Sequence, residues 1–108
     1  MGSGKMTWGT IEKQQMPGTE TIRRRPQEAA VKCWFTASGR AIPLSMKLQD
    51  QDGEIFSVDE IFVTSCEKKY YAGSVAWEYK CRIVFRNQQR LVTLLFQPET
   101  CRWKVLAG

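Results

Sequence analysis

Cysteines, paired acids and clustered arginines are the side chains here whose chemistry and spacing bear on function. Histidine is absent from the 108 residues, which excludes His-dependent triads, His-ligated metals and imidazole acid–base catalysis. The four cysteines, Cys33, Cys66, Cys81 and Cys101, contain no C-x-x-C pair, so neither a zinc ribbon nor a redox dithiol is indicated. Cys33, Cys81 and Cys101 fall on apolar faces as small core residues. Cys66, beside Glu67, Lys68 and Lys69, is the one thiol expected at the surface.

The acids fare no better as catalysts. Asp59 and Glu60 are neighbours, so in a strand or bulge their side chains diverge rather than pair for hydrolysis. Asp50-x-Asp52-Gly53-Glu54 lacks the calcium-loop spacing, because Gly53 is fourth and the twelfth position is Ile61. It reads as a hairpin turn with acidic flanks. Glycines occur singly, so no phosphate-cradling loop is present. No catalytic residue, metal, cofactor or small-molecule substrate is expected, and the chain reads as a non-enzymatic protein.

The cations are more informative. Sixteen Lys and Arg against eleven Asp and Glu give a net charge of +5 and a pI near 9.2, which favours anionic partners. The charge is lopsided: six acids and no base lie between Lys47 and Lys68, whereas Lys80, Arg82, Arg86, Arg90, Arg102 and Lys104 dominate the C-terminal third. Arg23-Arg24-Arg25 forms a separate run before Pro26.

These residues need a scaffold, and its signal is alternation. Val75, Trp77, Tyr79, Cys81, Ile83 and Phe85 point one way, with Glu78, Lys80, Arg82 and Arg86 the other. Val31, Cys33 and Phe35 oppose Lys32, Trp34 and Thr36, and Ile42, Leu44, Met46 and Leu48 alternate up to the turn Asp50–Gly53. Pro43 demands an edge or a bulge. Phe56 and Val58 are out of phase with Ile61 and Val63, which calls for a bend between Ser57 and Glu60. Tyr70–Gly73 reads as a loop and Asn87–Gln89 as a turn. Leu91–Phe96, apolar on both faces, is a central strand, and Cys101, Trp103 and Val105 form the last inward face.

The expected fold is all-β: a single small antiparallel barrel or roll of five to six strands, covering residues 30–108. Residues 1–5 read as an expression scar before Met6. Residues 6–29 form an arm or connector, with a short strand at Thr7–Ile11, a turn at Met16–Thr19 and one helical turn after Pro26. No apolar stretch matches a leader or a membrane span, and reduced thiols suit a cytoplasmic protein.

Ile42-Pro-Leu44, Asp52-Gly-Glu-Ile-Phe-Ser-Val-Asp-Glu-Ile61, Tyr79-Lys-Cys-Arg-Ile83, Leu94-Leu-Phe96 and Cys101-Arg-Trp103 carry a resemblance over residues 31–105. The chain resembles uncharacterised small β-rich cytoplasmic proteins of Gram-positive bacteria, some of which accompany mobile elements. The resemblance implies one bacterial cytoplasmic domain and brings no activity or ligand. The arginine run does not extend it to the PilZ barrels, whose D/N-x-S-x-x-G motif is missing; Thr36-Ala-Ser-Gly39 is a poor substitute.

Two binding functions follow. In the first, a nucleic-acid-associated module uses the arm (Arg23, Arg24, Arg25) and a basic strand face of Lys80, Arg82 and Arg86. Arg102 and Lys104 join that face if both strands lie on one side, with Arg90 at the intervening turn. Trp34 and Tyr70-Tyr71 would supply stacking surfaces. In the second, a protein-interaction or homodimerisation adaptor joins a basic arm to the acidic stretch 50–67 of another copy, with Trp8 and Ile11 as anchors.

Overall fold

A computed structural model describes residues 22–108. The strand expected at Thr7–Ile11, the turn expected at Met16–Thr19, the anchors Trp8 and Ile11 and the leading residues 1–5 lie outside the described residues. Seven strands follow: β1 (Gln27–Phe35), β2 (Ala41–Gln49), β3 (Ile55–Val58), β4 (Ile61–Tyr71), β5 (Ser74–Phe85), β6 (Gln88–Gln97) and β7 (Arg102–Ala107). The fold is all-β, as the alternation requires, with more strands than the expected five to six. After Pro26 the chain enters β1 directly, not a helical turn. Among the described residues no helix is long and apolar enough to cross a membrane.

All seven strands form one antiparallel sheet in the order β3-β2-β1-β7-β6-β5-β4. Its two edge strands, β3 and β4, are joined by Asp59 and Glu60 alone. A sheet whose opposite edges are two residues apart in the chain must curl to bring them close at this corner, and the result is a half-barrel whose edges stay unpaired among the described residues. The phase slip seen in the sequence is this corner. A bulge lies further on, between Val63 and Ser65. Pro43 sits beside a register shift at Lys32/Cys33. β3 pairs with β2 only from Met46 onward, so at Pro43 β2 is locally an edge and the missing donor breaks no ladder.

Two-residue hairpin turns set the registers. Ala72-Gly73 and Arg86-Asn87 all have positive φ (49°, 85°, 55° and 63°), the handedness that matches strand twist. Tyr70 and Tyr71 are therefore the end of β4 and not a loop, and the β5–β6 turn falls one residue earlier than expected. The inward faces meet in one core of Tyr79, Cys81, Ile83, Phe85, Val92, Leu94, Phe96, Trp103 and Val105, capped by Ile22. Ile83, Leu94 and Val105 are wholly buried, each worth about 1.5–3 kcal/mol relative to exposure.

Candidate anion-binding rim

Alternation places Lys80 and Arg82 of β5, and Arg102 and Lys104 of β7, on the outer side of the sheet. The register keeps them apart. β6 runs between, so Arg82 lies opposite Leu91, Lys80 opposite Thr93, Leu95 opposite both Glu78 and Lys104, and Gln97 opposite Arg102. Cations on β5 and β7 are thus two strands, about 10 Å, apart at closest. Acids interrupt them as well: Glu28 is opposite Lys104, and Glu67 is opposite Glu78. Lys80 Nζ donates to Thr93 Oγ1 at 3.1 Å. The outer face is mixed in charge and does not form a continuous basic stripe.

Arg86 and Arg90 leave that face altogether. Arg86 occupies the β5–β6 turn, and its guanidinium lies 4.5 Å from the Phe56 ring centre and 5.5 Å from that of Phe85. The two rings meet edge to face at 5.9 Å. Arg86 therefore leans over the end of the half-barrel toward β3. Arg90 belongs to β6, opposite inward-facing Ile83, rather than to the turn. Its Nη2 donates to Gln88 Oε1 at 3.0 Å, while its Nε is buried and has no hydrogen-bond partner among the described residues. A buried donor left unpaired costs about 1–3 kcal/mol.

The arginine run converges on the same end. Ala107 N donates to the Arg23 carbonyl at 2.6 Å, and Arg23 N donates to Gln27 Oε1 at 3.0 Å. Buried Ile22 anchors the segment, and Arg24 and Arg25 remain exposed. Gly108 N donates to the Leu91 carbonyl at 3.0 Å, so Arg23 is separated from Arg90 only by the end of β7. The turn Asp50–Glu54 shares this end on the β2–β3 side. There Asp50 Oδ1 accepts from Asp52 N and Glu54 N, both at 2.9 Å. Among the described residues, the ion pairs are those of Lys69 with Glu67 and Glu78, so the rim arginines have no carboxylate partner.

The stacking candidates are elsewhere. Trp34 is 66% exposed and pairs with Ile42 near the far end of β1, about 23 Å along the strand from Gln27. Tyr70 is exposed at the end of β4, and Tyr71 donates to Glu78 Oε2 at 3.1 Å. The rings that do border the rim are Phe56 and Phe85. Neither was distinguishable in the sequence from ordinary core.

The thiols are partly reassigned. Burial pushes Cys81 up to about 12, and burial followed by the charge of Cys101 raises Cys33. Cys101 is exposed in the turn before β7, at φ 55°, instead of in the core. Cys66 is half-buried. Among the described residues, no group of three or more Cys, Asp or Glu is placed to hold a metal ion. Comparison with protein-family models, curated proteins and solved structures gives no match.

Proposed function

We propose that this protein is a non-enzymatic binding module whose arginine rim grips an anionic partner, the phosphate backbone of a nucleic acid. The observation that carries the reading is that Arg86, Arg90 and the Arg23–Arg25 run lie at one end of the half-barrel with no carboxylate partner among the described residues. Phosphate oxygens supply the anionic partner these guanidinium groups lack, and guanidinium forks suit phosphate geometry. Arg86, with Phe56 and Phe85 beneath it, adds a cation at the end of the barrel. The test is binding of single- and double-stranded oligonucleotides by fluorescence anisotropy across salt. Contact with about four phosphates of duplex weakens affinity about 150-fold between about 50 and 200 mM salt. Absence of binding at low salt, or unchanged binding by R24E/R25E/R90Q, overturns the reading.

A second reading, a protein-interaction or homodimerisation adaptor, is favoured by a different surface. Phe62, Arg82 and Leu91 form one cross-strand row on the outer face, and Phe62, Leu91 and nearby Val84 are 47%, 66% and 53% exposed. Apolar side chains grouped around one arginine suit a protein contact. Light scattering of the full chain against concentration reads it: a dimer lost in F62S/L91S supports this contact, and a monomer at high concentration removes self-assembly.

A further inference from the structure

β4 is an edge strand, paired with β5 along one side; among the described residues no strand occupies its other side. β2 curls toward it, yet no backbone hydrogen bond joins them. A cavity of about 420 Å³ lies between them, lined by Arg40, Ile42, Pro43, Val63, Cys66 and Tyr79. The Thr64 bulge, with Thr64 Oγ1 donating to the Lys80 carbonyl at 2.9 Å, ends the disturbed part of the edge. From Cys66 to Tyr71 the register with β5 is then unbroken. An unpaired edge presents a row of free N–H and C=O groups.

On the face of β4 that carries Cys66, Lys68 and Tyr70, opposite Tyr79, Trp77 and Val75, the charge is one-sided. Arg40 lies 5.7 Å from the Trp77 ring centre and lines the same cavity as Cys66, and exposed Lys68 lies 6.0 Å from the Tyr70 ring centre. Neither has a carboxylate partner among the described residues. Lysines at an edge ordinarily discourage pairing. Lys69 instead pairs with Glu67 at 3.3 Å and Glu78 at 3.8 Å on the alternate face of the strand, so on the Lys68 face Arg40 and Lys68 select the sign of an incoming strand. We infer that the free edge of β4 from Cys66 to Tyr71 accepts an extended acidic peptide as an added strand, one end of it seated in the cavity between β2 and β4. Main-chain pairing gives such a complex its affinity, and the cations its specificity. The inference is independent of the arginine rim.

The test is hydrogen exchange of the full chain, read by mass spectrometry. Two synthetic octapeptides of alternating Thr and Val are compared, one ending in two glutamates and the other in two lysines. The acidic peptide is expected to slow exchange over Cys66–Tyr71 at least tenfold, to protect Cys66 from alkylation, and to bind at least tenfold more tightly than the lysine peptide. R40E/K68E, with wild-type circular dichroism, is expected to reverse that preference. Three results overturn the inference: equal response to both peptides, no response to either, or Cys66–Tyr71 already protected without peptide because a second copy or another segment of the chain pairs there.

Discussion

The phenol of Tyr79 on β5 donates to the carbonyl of Ala41 on β2, so one side-chain hydrogen bond ties together two strands that share no backbone pairing. Both residues are buried, and the Tyr79 ring also packs on Trp103 at 5.5 Å. This bond holds the open side of the half-barrel.

Tyr79→Phe keeps the ring contact and leaves the Ala41 carbonyl without its donor. The expected loss is about 1–3 kcal/mol, read as a lower urea midpoint with little change in slope. Exchange should also quicken over Ala41–Leu44 relative to β6. An unchanged midpoint would show that water replaces the phenol and that the bond does not hold the seam.

The strands were legible because alternation and turn chemistry are local. β5 follows its sequence pattern from Tyr79 to Phe85, and Asp50–Gly53 turns where its residues dictate. The corner at Asp59-Glu60 left a phase slip in the sequence, but nothing local says that the strands on either side become opposite edges of one sheet. The basic stripe failed for a related reason. Period two assigns Lys80, Arg82, Arg102 and Lys104 to a face, whereas their spacing depends on β6 lying between β5 and β7. Arg86 was misplaced by one position of the turn, enough to send its side chain over Phe56. Ile22 falls within the segment 6–29 that reads as an arm or connector, and it is core.

Alkaline pH should expose the buried thiol. The folded-state pKa of Cys81 is raised from 9.0 to about 12, so folding favours the neutral form. That contribution is fully present below pH 9 and is lost as pH rises from about 9 toward 12. Tyr79 and Cys33 are raised in the same direction, both chiefly by burial. The denaturant midpoint should be flat from pH 6 to 8 and decline above about 9, and Cys81→Ala should flatten that decline. Alkylation at pH 8 should reach Cys101 first and Cys81 only on unfolding. A midpoint indifferent to pH up to 11 would contradict the burial of Cys81.

Two leucines of β6 test the sidedness of the sheet directly. Leu94 is wholly buried and Leu91 is 66% exposed. Leu94→Ala should cost about 2–5 kcal/mol, while Leu91→Ala should stay within about 0.5 kcal/mol. Chemical denaturation of both variants at one pH is sufficient. Comparable losses would mean that the outer face of β6 is covered in solution, which homodimerisation through that face requires and the isolated fold does not.

Arg86 separates binding from folding. Its φ of 55° is a conformation that glycine adopts without strain and other residues adopt at a cost. Arg86→Gly relieves that cost and removes a cation–ring contact worth about 0.5–1 kcal/mol, so the two effects nearly cancel. Stability should change by less than about 1 kcal/mol. Oligonucleotide affinity responds differently: loss of one phosphate contact lowers the salt slope by about 0.9 and weakens binding several-fold at low salt. Arg86→Lys keeps the charge and should retain most of that slope. If Arg86→Gly is as stable as the parent and binds oligonucleotides with an unchanged slope, Arg86 does not touch the backbone. The contact surface would then have to lie on Arg23–Arg25 and Arg90 alone.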